Sequence, residues 1–197
     1  IDIERLNGNL GKAISDCEIL IEQINQLEEG NRLRSSYDNM LALLYGEIGA
    51  YEKMHEINGQ DLENTKQRYG ENSYRYAISL LNLSETYGVC GKREESIEYN
   101  IKALDILKRI YGDKSTQYYT ALRKLGSRYT ENSDKAIEIY VECMNLSKEL
   151  YGERSEQHAD ALLSLYGTRI LKDINNISTD DLKDEYNSMS VFGKAFD

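Results

Sequence analysis

The sequence predicts an all-α fold in which antiparallel helix pairs stack into a solenoid, and three observations support this. A Tyr-Gly-x-x-Ser motif begins at Tyr69, Tyr111 and Tyr151, at intervals of 42 and 40 residues. Periods in this range are typical of repeated helix pairs. Apolar residues recur at steps of three and four along most of the chain, as on one face of a helix. The 197 residues include no proline, so nothing interrupts a helix rigidly.

The N-terminal part of the predicted array is a partial repeat followed by a full one. Apolar residues within residues 10–27 follow helical spacing, so residues 1–27 predict the second half of a repeat with one buried helix face. A full repeat is predicted over about residues 28–68. Gly59 falls inside its second helix, where glycine costs roughly 1 kcal/mol relative to alanine. We therefore expect a local irregularity near Gly59.

Two further repeats are predicted over about residues 69–110 and 111–150. Ser73 and Ser115 stand at the helix starts, where a hydroxyl oxygen can accept from a free backbone amide. After the turn at Gly91, apolar residues at helical spacing predict the buried face of the second helix. That face comprises Ile97, Ile101, Leu104, Leu107 and Ile110.

The repeat pattern weakens after Tyr151. A partial repeat is predicted over residues 151–172, and the array as a whole over residues 1–177. Residues 178–197 predict a C-terminal capping helix and tail, because Ser178 or Thr179 precedes two carboxylates that suit the first turn of a helix. The chain starts at Ile1 without methionine or a signal pattern, which suggests an excised piece of a longer protein.

Composition argues against several functional classes. The formal net charge of −10 disfavours general nucleic-acid binding, which needs a broad basic surface. Three widely separated cysteines without a C-x-x-C spacing predict reduced, packed side chains. No run of about 18 apolar residues occurs, so we expect no membrane span. A cytoplasmic location is the resulting expectation.

Signals for catalysis or for a bound cofactor are weak. His55-Glu56 begins like the helix motif of zinc proteases, but Gly59 stands where the second histidine is required. His158 and Asp160 are two positions apart and point to different faces of a helix. The sequence therefore predicts no catalytic residues, no metal site, no cofactor and no enzymatic activity.

The central units carry large, small and aromatic residues at corresponding positions: Leu80, Leu83, Ser84, Tyr87, Gly91, Ser96 and Ala103, followed by Gly126, Tyr129, Ala136 and Tyr140. These positions resemble those of the tetratricopeptide repeat. The longer period and the Tyr-Gly opening resemble the kinesin-light-chain variety of these repeats. The resemblance covers about residues 8–170. It departs at Asp61, Asn100 and Arg169, and the proline usual at the repeat end is missing.

This resemblance implies a right-handed superhelix with a concave groove lined by the first helix of each pair. The groove positions it implies are Asn39, Leu43, Leu81, Asn82, Glu85, Arg123, Lys124, Ser127 and Leu163. Between Lys108 and Arg128 there are six basic residues and one acidic residue. This reversal of the overall charge indicates a groove for an acidic peptide, or else a solvated face whose charges pair with carboxylates of neighbouring helices.

Aromatic residues near the helix starts are further candidates for a partner surface, or for packing between repeats. They are Tyr74, Tyr76, Tyr118 and Tyr119.

The predicted function is a non-enzymatic scaffold that binds a peptide or a partner domain, with no nucleic-acid or membrane partner. An alternative from a different class is a regulatory or sensor array that controls an effector domain such as a protease, kinase or transcription factor. Self-association through an end of the array is a third hypothesis. Fold alone does not decide among these functions.

Overall fold

The computed structural model describes residues 8–26, 31–129 and 131–176, and only the backbone of residues 31–33, 175 and 176. The chain divides into two compact units, the first ending at Arg128 and the second beginning at Tyr129. Within the described ranges, unit 1 contains six α-helices and unit 2 contains two. They are α1 (Leu10–Asn25), α2 (Asn31–Glu47), α3 (Tyr51–Tyr69), α4 (Tyr74–Val89), α5 (Arg93–Tyr111), α6 (Thr116–Gly126), α7 (Ser133–Tyr151) and α8 (Glu156–Asn176).

Each helix of unit 1 packs against the next along the chain. The first core joins α1, α2 and α3, and its buried members include Cys17, Leu44 and Met54. A second core joins α4, α5 and α6 through small and large apolar residues such as Ala103 and Leu107. The helix predicted within residues 10–27 is confirmed.

The buried face of α5 differs from the predicted one. Ile101 and Ile110 are 39% and 40% exposed. Leu107 is buried as predicted, and the other buried residues of α5 are mostly small or polar: Ser96, Asn100, Ala103 and Ile106. Small side chains let the helix backbones approach closely, so this face was not recognisable as an apolar stripe.

Hydrogen bonds satisfy the polar residues of this interior. Ser84 Oγ donates to the Ser96 carbonyl and Ser96 Oγ to the Ser84 carbonyl, each at 2.7 Å. Asn100 is fully buried, and in the amide orientation that satisfies both groups it donates to the carbonyl of Ala121 and accepts from the amide of Leu125. These reciprocal bonds offset the cost of removing the polar groups from water.

Asp61, another departure from the repeat pattern, is also buried and hydrogen-bonded. Its carboxylate accepts from Ser35 Oγ at 2.7 Å and from Ser79 Oγ. At Asp61 and Asn100, where the sequence departs from the repeat pattern, the polar side chains thus form hydrogen bonds between helices.

The Tyr-Gly-x-x-Ser motif forms the loops that enter α4, α6 and α8. Its glycines have φ angles of 78°, 82° and 86°, a region that L-residues rarely adopt. Its serines donate to the glycine carbonyl and accept from the amide three positions on, here Tyr76, Tyr118 and His158. The predicted N-caps at Ser73 and Ser115 are confirmed.

The irregularity expected at Gly59 does not occur, because α3 runs without interruption from Tyr51 to Tyr69. The preceding Asn58 is buried, and its amide nitrogen donates to Thr86 Oγ1 on α4 at 2.8 Å. This contact with α4 stabilises α3 next to Gly59, where the helix propensity is low.

In unit 2, α7 and α8 pack along their length. Leu165 lies in a cluster with Ala136 and Tyr140, and Ser147 Oγ and His158 Nδ1 are 3.0 Å apart. The predicted capping helix and tail at residues 178–197 lie outside the described residues, as does the start of the partial repeat at residues 1–7. The repeat bounds given above remain predictions.

Candidate functional site

Candidate residues on three successive first helices of unit 1 are linked by their side chains. Asn82 Nδ2 on α4 donates to Asn39 Oδ1 on α2 at 2.7 Å. One turn along α4, Glu85 accepts from Lys124 Nζ at 3.3 Å and from the guanidinium of Arg128. Asn39, Asn82, Glu85, Lys124 and Arg128 are called the cross-helix row below. It connects α2, α4 and the C-terminal end of α6 within unit 1.

Glu85 is the charged centre of the cross-helix row. Burial disfavours its ionised form, but Arg128 and Lys124 outweigh that effect and hold the pKa of Glu85 below its ordinary value. The side chains of Glu85 and Lys124 remain 33% and 39% exposed. An incoming ligand can therefore reach the same ion-pair network.

Arg128 is the functional candidate that the sequence reasoning missed for the groove, although it counted among the basic residues. Its side chain is only 14% exposed, and its guanidinium lies against Gly88 on α4. A Cβ at Gly88 would come within 2.7 Å of Arg128 Nη1. Arg128 lies two residues after the end of α6. Its contact with a glycine on α4 could not be recognised from sequence spacing alone.

The groove candidates next to the cross-helix row differ in exposure. Arg123 is exposed and has no ion pair or side-chain hydrogen bond within the described part of the chain. Ser127 is exposed and donates to the Lys124 carbonyl at 2.7 Å. Leu43 on α2 is 51% exposed. These residues border the row with one cationic, one hydroxyl and one apolar side chain.

The other two candidates do not join this surface in the same way. Leu81 is 5% exposed and forms part of the floor of a cavity of about 230 Å³ between α4 and α6, next to Ile78 and Thr120. Leu163 is 71% exposed but belongs to α8 in unit 2. The structure thus links Asn39 with Asn82 and Glu85 with Lys124 inside unit 1, whereas Leu163 belongs to unit 2.

The basic stretch between residues 108 and 128 is partly neutralised by acidic neighbours. Besides the pairs with Glu85, Lys108 Nζ lies 3.3 Å from a carboxylate oxygen of Asp113. Arg109 Nε donates to the backbone carbonyl of Asp105, which carries no charge. Ion pairs therefore involve Lys108, Lys124 and Arg128, and Arg123 is an exposed cation beside them.

The aromatic candidates differ in exposure, and one prediction about a cysteine is wrong. Tyr118 and Tyr119 are 6% and 4% exposed, which fits the packing alternative, whereas Tyr74 is 43% exposed and meets Tyr111 edge to face. Cys90 is exposed at the end of α4, although a packed role was expected. The other two cysteines are buried as predicted.

The described ranges are now considered for metal binding and for membrane insertion. Within those ranges, no group of three or more His, Cys, Asp or Glu side chains is arranged to hold a metal ion. None of the helices described there combines the length and apolar character needed to cross a bilayer.

Comparisons with known proteins agree with the helix-pair fold. A tetratricopeptide repeat model matches residues 77–116, which span α4 and α5. The crystal structure of BtubC (BKLC) from P. vanneervenii superposes with a TM-score of 0.73 at 19% identity, covering 90% of this chain and 79% of that one. A tetratricopeptide repeat thus matches part of the chain, and the chain shares its fold with a kinesin-light-chain-like repeat structure. The predicted all-α helix-pair solenoid fold is therefore confirmed.

Two structures from Podosopora anserina, described as kinesin light chain nearly identical TPR-like repeats, also match the fold of this chain. A point variant has a TM-score of 0.73, and a second structure has one of 0.71. Each is 14% identical and covers 98% of this chain and 92% of the other. No significant match occurs among curated proteins. Tetratricopeptide repeats generally mediate protein–protein interactions, and their scaffold is typically non-catalytic.

Proposed function

We propose that this repeat protein is a non-enzymatic interaction module that binds an acidic peptide, or an acidic segment of a partner domain, across the cross-helix row. The observation that carries the proposal is the linkage of α2, α4 and α6 by side chains that remain partly exposed. A ligand lying across these helices meets one continuous polar surface. Arg123 adds an exposed positive charge beside that surface.

The proposed mechanism uses preorganised charge. In the free protein, Glu85 forms ion pairs with Lys124 and Arg128 and fixes the positions of both cations. A carboxylate of the ligand shares these cations and contacts Arg123, while Leu43 offers apolar surface one turn from Asn39. Side chains held in place before binding lose less conformational entropy, and the positive charges steer an acidic ligand. The expected interaction is therefore sensitive to salt.

The first test reverses the charge of the proposed surface. Arg123→Glu combined with Lys124→Glu should weaken binding of a fluorescently labelled oligoglutamate peptide in an anisotropy titration by about tenfold or more, because two attractive charges become repulsive. Helicity by circular dichroism should stay nearly unchanged, since both side chains are partly or fully exposed. An oligoglutamine peptide measures the background.

A matched control places the same charge change elsewhere in unit 1. Lys102 and Arg109 are exposed cations on α5, the second helix of its pair. Lys102→Glu combined with Arg109→Glu alters the net charge by the same amount but leaves the cross-helix row intact. If both double variants lose affinity equally, the interaction follows net charge and the proposed surface is wrong.

A second test removes the internal competitor. Glu85→Gln leaves Lys124 and Arg128 without their carboxylate, so it should raise affinity for the oligoglutamate peptide and steepen its salt dependence. A variant that binds less tightly would mean that Glu85 mainly positions the cations. The regulatory role, the self-association and the cytoplasmic location considered in the sequence analysis stay predictions.

A further inference from the structure

A polar cavity of about 460 Å³ lies between α2 and α3 in unit 1. It is called the α2–α3 cavity below, and its lining includes Arg34, Asp38, Asp61, Asn64, Thr65 and Arg68. None of the described residues that line it has an aliphatic side chain. Most ligand pockets are instead lined by apolar and aromatic side chains with a few polar groups. A ligand that fits this cavity is therefore itself strongly polar.

The same positions of the next helix pair form an apolar core. The offset of 42 residues that relates Tyr69 to Tyr111 also relates α2 and α3 to α4 and α5. By this offset, five residues of the cavity wall have buried apolar counterparts that pack in one cluster. Ser35, Asp38, Asp61, Asn64 and Thr65 correspond to Ala77, Leu80, Ala103, Ile106 and Leu107. The first helix pair thus has a polar cavity where the second has its core.

This exchange of apolar for polar residues does not favour stability. Burial of apolar side chains is the dominant favourable contribution to folding, whereas buried polar groups need hydrogen bonds to offset the loss of water. The cavity wall has such bonds: the hydroxyls of Thr65 and Ser79 are 3.1 Å apart, and Ser79 in turn donates to Asp61. Departures from the local rules of a fold are expected at functional sites, and this wall is an ordered polar one.

The two carboxylates of the α2–α3 cavity are buried, and they differ in their partners. Asp38 is 8% exposed, and its Oδ2 lies 3.1 Å from Arg34 Nε. Asp61 is 3% exposed and accepts from the hydroxyls of Ser35 and Ser79, with no ion pair to a cation of the described residues. Burial raises the pKa of Asp38, and the nearby charge of Asp61 raises it further, against the effect of Arg34. The inner wall therefore favours an additional cation.

The outer end of the cavity has the opposite charge. Arg68 follows Asp61 by seven residues on α3, so both lie on the same side of the helix, about 10 Å apart along its axis. Arg68 is exposed, and its guanidinium lies 5.9 Å from the centre of the Tyr69 ring. The cavity thus runs from a buried carboxylate to an exposed guanidinium. A complementary ligand has a cation at one end and an anion at the other.

We propose that the α2–α3 cavity binds a free basic amino acid, arginine or lysine. The guanidinium or ammonium group of the ligand's side chain pairs with Asp61, and its carboxylate pairs with Arg68. The cavity shares no residue with the cross-helix row. This inference therefore goes beyond the proposed acidic-ligand function and does not depend on it.

Isothermal titration calorimetry of the full chain tests the ligand class. L-arginine and L-lysine should bind, whereas citrulline, which replaces the guanidinium by an uncharged urea group, and agmatine, which lacks the carboxylate, should each bind about tenfold more weakly or less, as expected for a lost charged contact. If neither amino acid binds at about 10 mM, ten times a Kd of 1 mM, the cavity holds only water and the proposal is overturned. Equal affinity for arginine, citrulline and agmatine would also overturn it.

A peptide that ends in arginine offers the same two charged groups. The tripeptide Gly-Gly-Arg therefore serves as a further probe in the same titration. Weaker binding of the tripeptide than of free arginine supports a site for the amino acid. Binding of the tripeptide without binding of free arginine would assign the cavity to the C-terminus of a partner chain and refute the proposal.

Two variants test the roles of the charged ends. Asp61→Asn removes the inner charge at nearly constant shape and should lower the affinity for arginine about tenfold or more. Arg68→Gln, on the exposed rim, should lower the affinity for arginine to that of agmatine and leave the affinity for agmatine unchanged, which a merely structural role would not produce. Circular dichroism verifies folding of both.

Arg109→Gln is the matched control, because it removes the same charge from an exposed position in the last turn of α5. Its affinity for arginine should equal that of wild type. If Arg68→Gln and Arg109→Gln change the affinity equally, Arg68 does not contact the ligand and the proposed site is wrong. This comparison decides the question even if Asp61→Asn fails to fold.

Discussion

Gly88→Ala should destabilise the protein, although alanine is normally the better residue in a helix. The reason is the close approach of Arg128 to α4. A Cβ at position 88 would lie 2.7 Å from Arg128 Nη1 and 3.2 Å from both Arg128 Cζ and Ser96 Oγ. The guanidinium can move away, but it would then leave Glu85. Ser96 can move less readily because it is held by two hydrogen bonds to Ser84.

Two opposing contributions determine the magnitude. Alanine gains up to roughly 1 kcal/mol over glycine from helix propensity. Hydrogen bonds to charged groups contribute roughly 1.5–3 kcal/mol, and the lower end applies here because the Glu85 side chain is still 33% exposed. Adding the crowding at Ser96, we expect Gly88→Ala to lower the free energy of unfolding by about 1 kcal/mol.

Gly59→Ala is the matched control for this experiment. Gly59 lies inside α3, has an ordinary helical φ, and a Cβ there would meet nothing within 4 Å. Gly59→Ala should therefore raise the free energy of unfolding by close to the full difference in helix propensity, about 1 kcal/mol. This corresponds to a rise in Tm of roughly 2–4 °C. Urea unfolding followed by circular dichroism measures both variants.

A double-mutant cycle isolates the cause. In an Arg128→Ala background the guanidinium is gone, so Gly88→Ala should recover most of its propensity gain and become neutral or stabilising. If Gly88→Ala stabilises the wild-type chain as much as Gly59→Ala does, Arg128 does not press on α4 and the reasoning is refuted. If Gly88→Ala lowers the free energy of unfolding equally in the Arg128→Ala background, the destabilisation comes from the contact with Ser96 instead.

Three further predictions concern buried and ionisable groups. Because the bound cations lower the pKa of Glu85 despite its burial, the stability advantage of wild type over Glu85→Gln should be present at pH 6 and shrink below about pH 4, measured by urea unfolding. Burial raises the pKa of Cys17 to about 11, so iodoacetamide followed by peptide mapping should label the exposed Cys90 first; equal labelling would contradict the described burial. Asn100→Ala should cost roughly 1–3 kcal/mol because it leaves backbone groups of α6 without their buried partner, and a neutral effect on urea unfolding would rule out that contact.

Local rules were sufficient to predict most of the fold. The period of the Tyr-Gly-x-x-Ser motif predicted the helix pairs, and the structure explains why the motif recurs: its glycine needs a positive φ and its serine caps the next helix. Failures occurred where tertiary contacts override these rules. Gly59 sits in an intact helix held by Asn58, and α5 buries Ser96 and Asn100 in place of Ile101.

The candidate site was only partly predictable. Repeat alignment identified Asn39, Asn82, Glu85 and Lys124 as neighbours in a common surface, and their side chains do meet. It did not identify Arg128, because its contact depends on the space left by a glycine on another helix.

The sequence by itself determined the secondary structure of this protein, the order of its helices and the residue types available to a partner. Those properties follow from spacing, capping and backbone preference, all of which act over a few residues. Only the tertiary structure decided which charges are neutralised, which polar groups are buried and which of them line a cavity. These depend on distances between helices about 40 residues apart in the chain, such as the 3.3 Å between Lys124 and Glu85.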